Sequence, residues 1–298
     1  MIWYKERDMN SLKNKGGAYR FCSFLLLSLV TVSICFSASS FVFADSKVNA
    51  ENSDDETRIN EIKFEDHKWG EKFLNFIKTG PMILSRSDVF DVAPPPENSS
   101  QITKDELISL REWVLSKRND DSIMRIHFEN EAQNPQTFFA KEGLLNIGSY
   151  NTVALLSMID VDHRYFILER KKHFSRPRPS QLDADLETVI PNPAHAAYPS
   201  GHASQTYMIA LVLSEFDPEN EAKYKQLAID VAHRREIAGV HYPSDSVAGR
   251  TLAVDVLARL RAIPVFEKKF QEAKATHLKP SFVVMTNEEA DALMTIKK

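Results

Sequence analysis

Residues 199–216 read PSGHASQTYMIALVLSEF, and the apolar residues of this stretch lie on almost every side of the helix that it predicts. Ser200 is a preferred helix N-cap, and neither proline nor glycine interrupts the sequence from His202 to Phe216. A helix that is apolar almost all round has no face for solvent, so it belongs in the middle of a bundle. The stretch therefore predicts a central buried helix.

Helices are also predicted on both sides of this stretch. Their apolar residues recur about every 3.6 positions, and prolines or glycines mark most of their ends. The predicted ranges are 104–117, 148–174, Asp217 to about Ala238, and Pro243 to about Arg261. Because strand-type alternation is scarce, the fold class is predicted to be all-α, a single-domain helical bundle around the central helix. This domain is predicted to cover 61–298, after a disordered polar segment over 45–60.

The N-terminal residues have the pattern of a secretory signal. Five basic residues precede an apolar run over 21–43, which ends in the small-residue pattern Val42-Phe43-Ala44. This pattern suits signal peptidase, so residues 1–44 are predicted to be a cleaved signal peptide. The run is also long enough to span a bilayer, so an uncleaved anchor is the alternative.

Composition limits the function of the rest of the chain. Cys22 and Cys35 both lie within the predicted signal, which excludes thiol catalysis and thiolate metal sites after it. The signal also takes five of the 37 basic and two of the 41 acidic residues, which leaves a net charge of −7. So acidic a protein binds nucleic acid or anionic membrane poorly, and neither is predicted as a partner after cleavage.

Three short motifs combine cations, histidines and an aspartate. They are Lys171 with Arg178-Pro179, then Pro199-Ser200-Gly201-His202, and then Arg235 with His241 and Asp245. One such motif alone is weak evidence, but three in this order over about 75 residues are a specific signal.

The motifs contain the groups that a phosphate monoester requires. They supply three cations that can neutralise phosphoryl oxygens, namely Lys171, Arg178 and Arg235. Ser200 is placed as an N-cap, so the amides of Gly201 and His202 point out of a helix N-terminus, which binds anions. Gly201 also lets the backbone come close to a ligand. Because the protein itself provides the cations, we predict no metal and no cofactor.

The third motif also contains a candidate nucleophile. His241 falls in the loop between two predicted helices, and Asp245 falls in the first turn of the second. This spacing lets the carboxylate hold one ring nitrogen and present the other for attack.

In order and internal spacing, the motifs resemble the signature of the type 2 phosphatidic acid phosphatase superfamily, which includes vanadium haloperoxidases. The prolines at 94–96 further resemble a feature of bacterial class A non-specific acid phosphatases. The resemblance implies that His241 is the nucleophile, that Asp245 orients it, and that His202 is the general acid. An ordinary histidine pKa suits that acid role at mildly acidic pH. Arg234 departs from the pattern, because the family usually has serine there. It either points to solvent or adds to the positive field.

Other polar residues near the motifs are interpreted as solvated. Three of them match no constrained position and are predicted on a solvated face, with a supporting role in substrate approach as the alternative: Lys172, His173 and Arg176. His195 is interpreted as an ordinary loop histidine, with a place in the pocket as the alternative. His163 lies close to Asp160 and Asp162, but no second cluster completes a metal site, so a solvated helix face is predicted.

The leading hypothesis is an exported, periplasmic or secreted acid phosphatase that hydrolyses small-molecule phosphate monoesters. A vanadate-dependent haloperoxidase, a membrane-anchored lipid phosphatase and a phosphate-binding protein are the alternatives. Pure binding requires only the cations, so the presence of His202, His241 and Asp245 favours catalysis. The physiological ester, the oligomeric state and transfer of phosphate to alcohols stay open.

Overall fold

The computed structural model describes residues 54–132, 134–280 and 289. The predicted signal peptide over 1–44 lies outside these residues. Within them the regular secondary structure is helical and contains no β-strand, which confirms the all-α prediction. Within the same ranges, no helix combines the length and the apolar character that crossing a bilayer requires.

The α-helices that form the bundle are numbered along the chain. They are α1 (Glu71–Thr79), α2 (Gln101–Ser116), α3 (Asp120–Glu131), α4 (Gln136–Lys141), α5 (Tyr150–Phe174), α6 (Pro179–Leu182), α7 (Gly201–Phe216), α8 (Glu221–Ile237), α9 (Pro243–Arg261) and α10 (Pro264–Ala275). For the five helices whose ranges the sequence predicted, α2, α5, α7, α8 and α9, the bounds fall within a few residues of the predicted ones, because N-cap residues and prolines that predicted several of the ends also form them.

Helix α7 is the central helix, packed against α5, α8 and α9. Its N-cap Ser200 accepts a hydrogen bond from the amide of Ala203. The side chains of Ala203, Val212 and Leu213 are fully buried, although these residues do not share one helix face. The prediction of a central buried helix is confirmed.

A glycine allows α9 to approach the start of α7 closely. A Cβ atom at Gly249 would lie 2.6 Å from the carbonyl oxygen of Ser200 and 3.1 Å from the amide nitrogen of Ser204. In the same region the amide of Ser200 donates to the carbonyl oxygen of Asp245 at 2.9 Å. This contact joins the second motif directly to the third.

The turn after α5 sets the position of Arg178, which lies at the end of the first motif. Ser175 adopts a left-handed conformation with φ of 48°, which ends the helix. Pro177 cannot continue a helix, so the chain runs extended through Arg178 before α6 begins. Lys171 on α5 and Arg178 after the turn thereby come to the same end of the bundle.

The segment predicted to be disordered is partly ordered. Residues 54–61 are helical, in contrast to the disorder predicted over 45–60, whereas 45–53 lie outside the described residues. The side chain of Asn60 exchanges two hydrogen bonds with Ser99, at 3.0 and 2.9 Å. The side-chain amide of Asn98 also donates to the backbone carbonyls of Ile59 and Ile62 at 2.9 Å. These tertiary bonds compensate for a composition that would not order the segment alone.

Candidate active site

The three motifs meet where α5, α7, α8 and α9 come together. Lys171 is in the last turn of α5, Arg235 is in the last turn of α8, and Asp245 is in the first turn of α9. The residues of the predicted site are nearly all buried: Lys171, Arg178, Ser200, Arg235, His241 and Asp245 are at most 2% exposed. Gly201 and His202 at the start of α7 are half-buried.

His241 is held between an acceptor and a donor. Its Nδ1 lies 2.8 Å from Oδ2 of Asp245, and its Nε2 lies 3.1 Å from a terminal nitrogen of Arg178. A carboxylate accepts and a guanidinium donates, so both contacts require the same tautomer, with the proton on Nδ1. The same carboxylate oxygen accepts the backbone N–H of Tyr242 at 3.1 Å. Nε2 therefore carries the lone pair, which faces the Arg178 guanidinium.

Burial and positive neighbours keep this ring neutral. Burial lowers the pKa of His241 well below its ordinary value, and Arg178, Lys171 and Arg235 lower it further. A neutral imidazole with its lone pair on Nε2 has the protonation state that a nucleophile requires.

The three cations share one buried region. Burial and the charge of Arg178 lower the pKa of Lys171 well below its ordinary value. Burial likewise lowers the pKa of Arg178 to about 9 and that of Arg235 to about 10. The Lys171 ammonium donates to the carbonyl oxygens of Ala196 and Ala197 at 2.9 and 2.7 Å. Such a cluster of desolvated positive charge is a site for an anion.

Arg235 has unused donors. Its Nε and one terminal nitrogen are buried and have no hydrogen-bond partner among the described residues. Its other terminal nitrogen lies 3.5 Å from the side-chain oxygen of Asn130, a weak contact at best. Buried donors are nearly always paired in proteins, so this guanidinium is suited to an oxyanion.

His202 contacts backbone and an aromatic ring. Its Nε2 donates to the carbonyl oxygen of Glu129 at 3.1 Å, and its ring lies parallel to that of Phe138. Burial, followed by the charge of Arg235, lowers the pKa of His202 to about 3. The ordinary histidine pKa that the sequence suggested therefore does not hold in this structure, because the ring is buried in a region of positive charge.

Sequence reasoning missed Arg176. It was predicted on a solvated face, but its side chain is 1% exposed and donates to Oδ1 of Asp245 at 2.7 Å. The prediction was wrong because its partners come from other helices. Its position two residues before Arg178, inside the first motif, was the one available signal.

His195 lies against the site, although it belongs to a loop. Its Nδ1 lies 3.0 Å from a terminal nitrogen of Arg178, and its backbone oxygen accepts from the same guanidinium. The rings of Trp69 and Phe73 flank its imidazole. The alternative interpretation, a histidine at the pocket, fits better than an ordinary loop histidine.

The remaining polar residues divide between the surface and the interior. His173 is exposed, as predicted, and Lys172 pairs with Asp66 at 2.5 Å. His163 is buried and lies 2.7 Å from the hydroxyl of Ser204, so the prediction of a solvated face was wrong. Among the described residues, no group of histidines and carboxylates could hold a metal ion.

Arg234 neither points to solvent nor stands as a free charge. It forms a largely buried ion pair with Glu129 at 2.6 Å. A cavity of about 80 Å³ lies beside this pair and is lined in part by Glu129, Phe138 and Arg234. Glu129 and Phe138 also contact His202.

Comparisons with known proteins agree with the motifs. Residues 148–267 match the model of the PAP2 superfamily. The chain is 30% identical to a non-specific acid phosphatase of Salmonella typhimurium over 152 residues, which is 49% of this chain and 54% of that protein. It is 40% identical to a non-specific acid phosphatase of Providencia stuartii over 80 residues, which is 27% of this chain and 32% of that protein. The chain thus matches about half or less of the length of these relatives.

A solved structure has a similar fold. The crystal structure of a bacterial vanadium-dependent iodoperoxidase superposes with a TM-score of 0.50 at 19% identity. The match covers 72% of this chain and 66% of the other. At this identity the likeness concerns the fold alone.

Proposed function

We propose that the chain, whose residues 148–267 match the model of the PAP2 superfamily, is an exported, metal-independent acid phosphatase of that superfamily. Its substrates are small-molecule phosphate monoesters, and its intermediate is a phosphohistidine on His241. The observation that carries the proposal is the buried His241 imidazole, whose Nδ1 is held by Asp245 and whose Nε2 lies at a guanidinium of the three-cation cluster. A phosphate-binding protein would need the cations but no such imidazole.

In the first step, the ester phosphate binds among Lys171, Arg178 and Arg235, which neutralise its oxygens. The unpaired donors of Arg235 suit this role. Nε2 of His241 attacks phosphorus, a P–N bond forms, and the ester P–O bond breaks. Asp245 keeps the proton on Nδ1 throughout.

His202 supplies the proton for the leaving oxygen. Its pKa is lowered first by burial and then by the charges of Arg235, Lys171 and Arg178, so a bound dianion, which offsets those charges, raises the pKa again. Nε2 already donates to Glu129, which leaves Nδ1 to deliver a proton once the ring is charged. In the second step a water molecule gives its proton back to His202 and attacks phosphorus, which breaks the P–N bond and releases phosphate.

Two parts of the proposal depend on the sequence and the relatives rather than on the site. Export rests on the signal pattern of residues 1–44 and places the enzyme in the periplasm or outside the cell. Acid phosphatase activity is supported by relatives that carry the name non-specific acid phosphatase.

The test is turnover of an activated aryl phosphate by the purified protein at mildly acidic pH, in EDTA, with and without vanadate. We expect hydrolysis that resists EDTA and is inhibited by vanadate, an analogue of the five-coordinate transition state. Loss of activity in EDTA contradicts metal independence. A protein that hydrolyses no ester, but oxidises iodide or bromide when given vanadate and peroxide, is a haloperoxidase instead.

The acid role of His202 predicts a dependence on the leaving group. His202→Ala is expected to lower kcat by about 10²-fold or more for alkyl phosphates, whose leaving oxygen requires a proton. Esters of acidic phenols should be affected far less, because their leaving group departs as an anion. The measurement is kcat for a series of esters of graded leaving-group pKa. Equal losses across the series would remove His202 from the acid role.

A further inference from the structure

The second carboxylate oxygen of Asp245 is also occupied. While Oδ2 accepts from His241 and from the backbone of Tyr242, Oδ1 accepts from Arg176 at 2.7 Å. Asp245 and Arg176 are both buried. The aspartate therefore links the imidazole to a guanidinium that none of the three motifs includes as a constrained position.

Arg176 is itself fixed by its surroundings. Its second terminal nitrogen lies 3.2 Å from Glu106 and 3.4 Å from the hydroxyl of Thr103, both on α2. The centre of its guanidinium lies 3.8 Å from the ring centroid of Tyr242. A planar cation held on its edges and on one face has little freedom to move.

Glu106 fixes the start of α9 as well. One carboxylate oxygen accepts the backbone N–H of Ser244 at 2.6 Å, and the other accepts the Ser244 hydroxyl at 3.0 Å. The Arg176 guanidinium also donates to that hydroxyl at 2.8 Å. Glu106 therefore holds both the arginine and the helix end that carries Asp245.

The charge on Arg176 has a chemical consequence at His241. In the phosphohistidine intermediate, a ring that keeps its Nδ1 proton is cationic and is a good leaving group when water attacks phosphorus. A buried aspartate without a cationic partner is a stronger base and draws this proton away. The neutral phosphohistidine that results loses phosphate slowly.

We propose that Arg176 and Glu106 are positioning residues for phosphoryl transfer. They hold Asp245 oriented and weakly basic, so that His241 keeps its Nδ1 proton while the P–N bond forms and while it breaks. The inference rests on the proposed phosphatase function, and the two can fail separately.

The first variant is Arg176→Met, which removes the charge and keeps much of the volume. We expect kcat to fall by about 10–100-fold, the range typical of residues that orient a reactive group through another residue. Hydrolysis of the intermediate should slow more than its formation. Protein-bound phosphate, measured after an alkaline quench, should therefore accumulate, KM should fall, and inhibition by inorganic phosphate should change little.

Arg176→Lys keeps the charge and should recover a large part of kcat without accumulation of the intermediate. Glu106→Gln should give a smaller loss of kcat with some accumulation, and it tests the proposal if Arg176→Met does not fold. The matched control is Arg261→Met, because Arg261 also contacts two glutamates, Glu215 and Glu267, and lies 3.7 Å from the ring centroid of Phe270. This control should leave kcat unchanged.

Wild-type kcat in a folded Arg176→Met or Glu106→Gln variant would overturn the inference. So would a fall in kcat without bound phosphate, because a merely structural defect lowers both steps alike. A wild-type protein that hydrolyses no ester would refute the proposed function instead, before any variant is compared.

Discussion

His241→Ala is expected to abolish turnover, with a fall in kcat of about 10⁴-fold or more, because no other group takes the place of a covalent nucleophile. Phosphate binding should remain measurable. Lys171, Arg178 and Arg235 keep their charges in this variant, and the Lys171 ammonium is still held by its two backbone carbonyls. The measurement pairs kcat on an aryl phosphate with calorimetric titration of inorganic phosphate.

The control for this variant is His173→Ala, which removes an exposed histidine from the last turn of α5. It should retain wild-type kcat. Full activity in His241→Ala would refute the phosphohistidine mechanism. Loss of both turnover and phosphate binding would mean that His241 holds the cations in place rather than attacking phosphorus.

Local signals in the sequence predicted most of the fold. The N-cap Ser200, the proline that opens α9 and the glycine that follows α8 act within a few residues of the helix ends that they set. Their effect therefore requires no knowledge of tertiary contacts. The helical residues 54–61 show the limit, because the bonds that tie Asn60 to Ser99 join positions 39 residues apart.

The same distinction applies to the site. Its main groups could be predicted because each motif is short and keeps its internal spacing. Arg176 could not be assigned, because its burial depends on Glu106 and Asp245, which come from two other helices. His163 was misjudged for a similar reason, since its acidic neighbours suggested solvent while Ser204 of α7 covers it. Sequence proximity indicates which residues belong to one motif, but the packing of the helices decides which charged groups contact one another.

Asp245→Asn is the second variant with a large expected effect. Asp245 accepts hydrogen bonds from three donors, His241, Tyr242 and Arg176. An amide NH₂ in its place would have no acceptor among them unless the imidazole changed tautomer. Nδ1 would then accept from the amide, and the proton would move to Nε2, where attack must occur. We expect kcat to fall by about 10³–10⁴-fold, as for other catalytic histidines that lose their aspartate.

The matched control is Asp255→Asn, ten residues further along α9 and about 15 Å away along the helix axis. It makes the same chemical change on the same helix and should leave kcat unaltered. Nitrogen NMR of the imidazole distinguishes the cause, because the proton should appear on Nδ1 in the wild type and on Nε2 in Asp245→Asn. If kcat fell while the proton stayed on Nδ1, the aspartate would act by its charge rather than by selecting the tautomer.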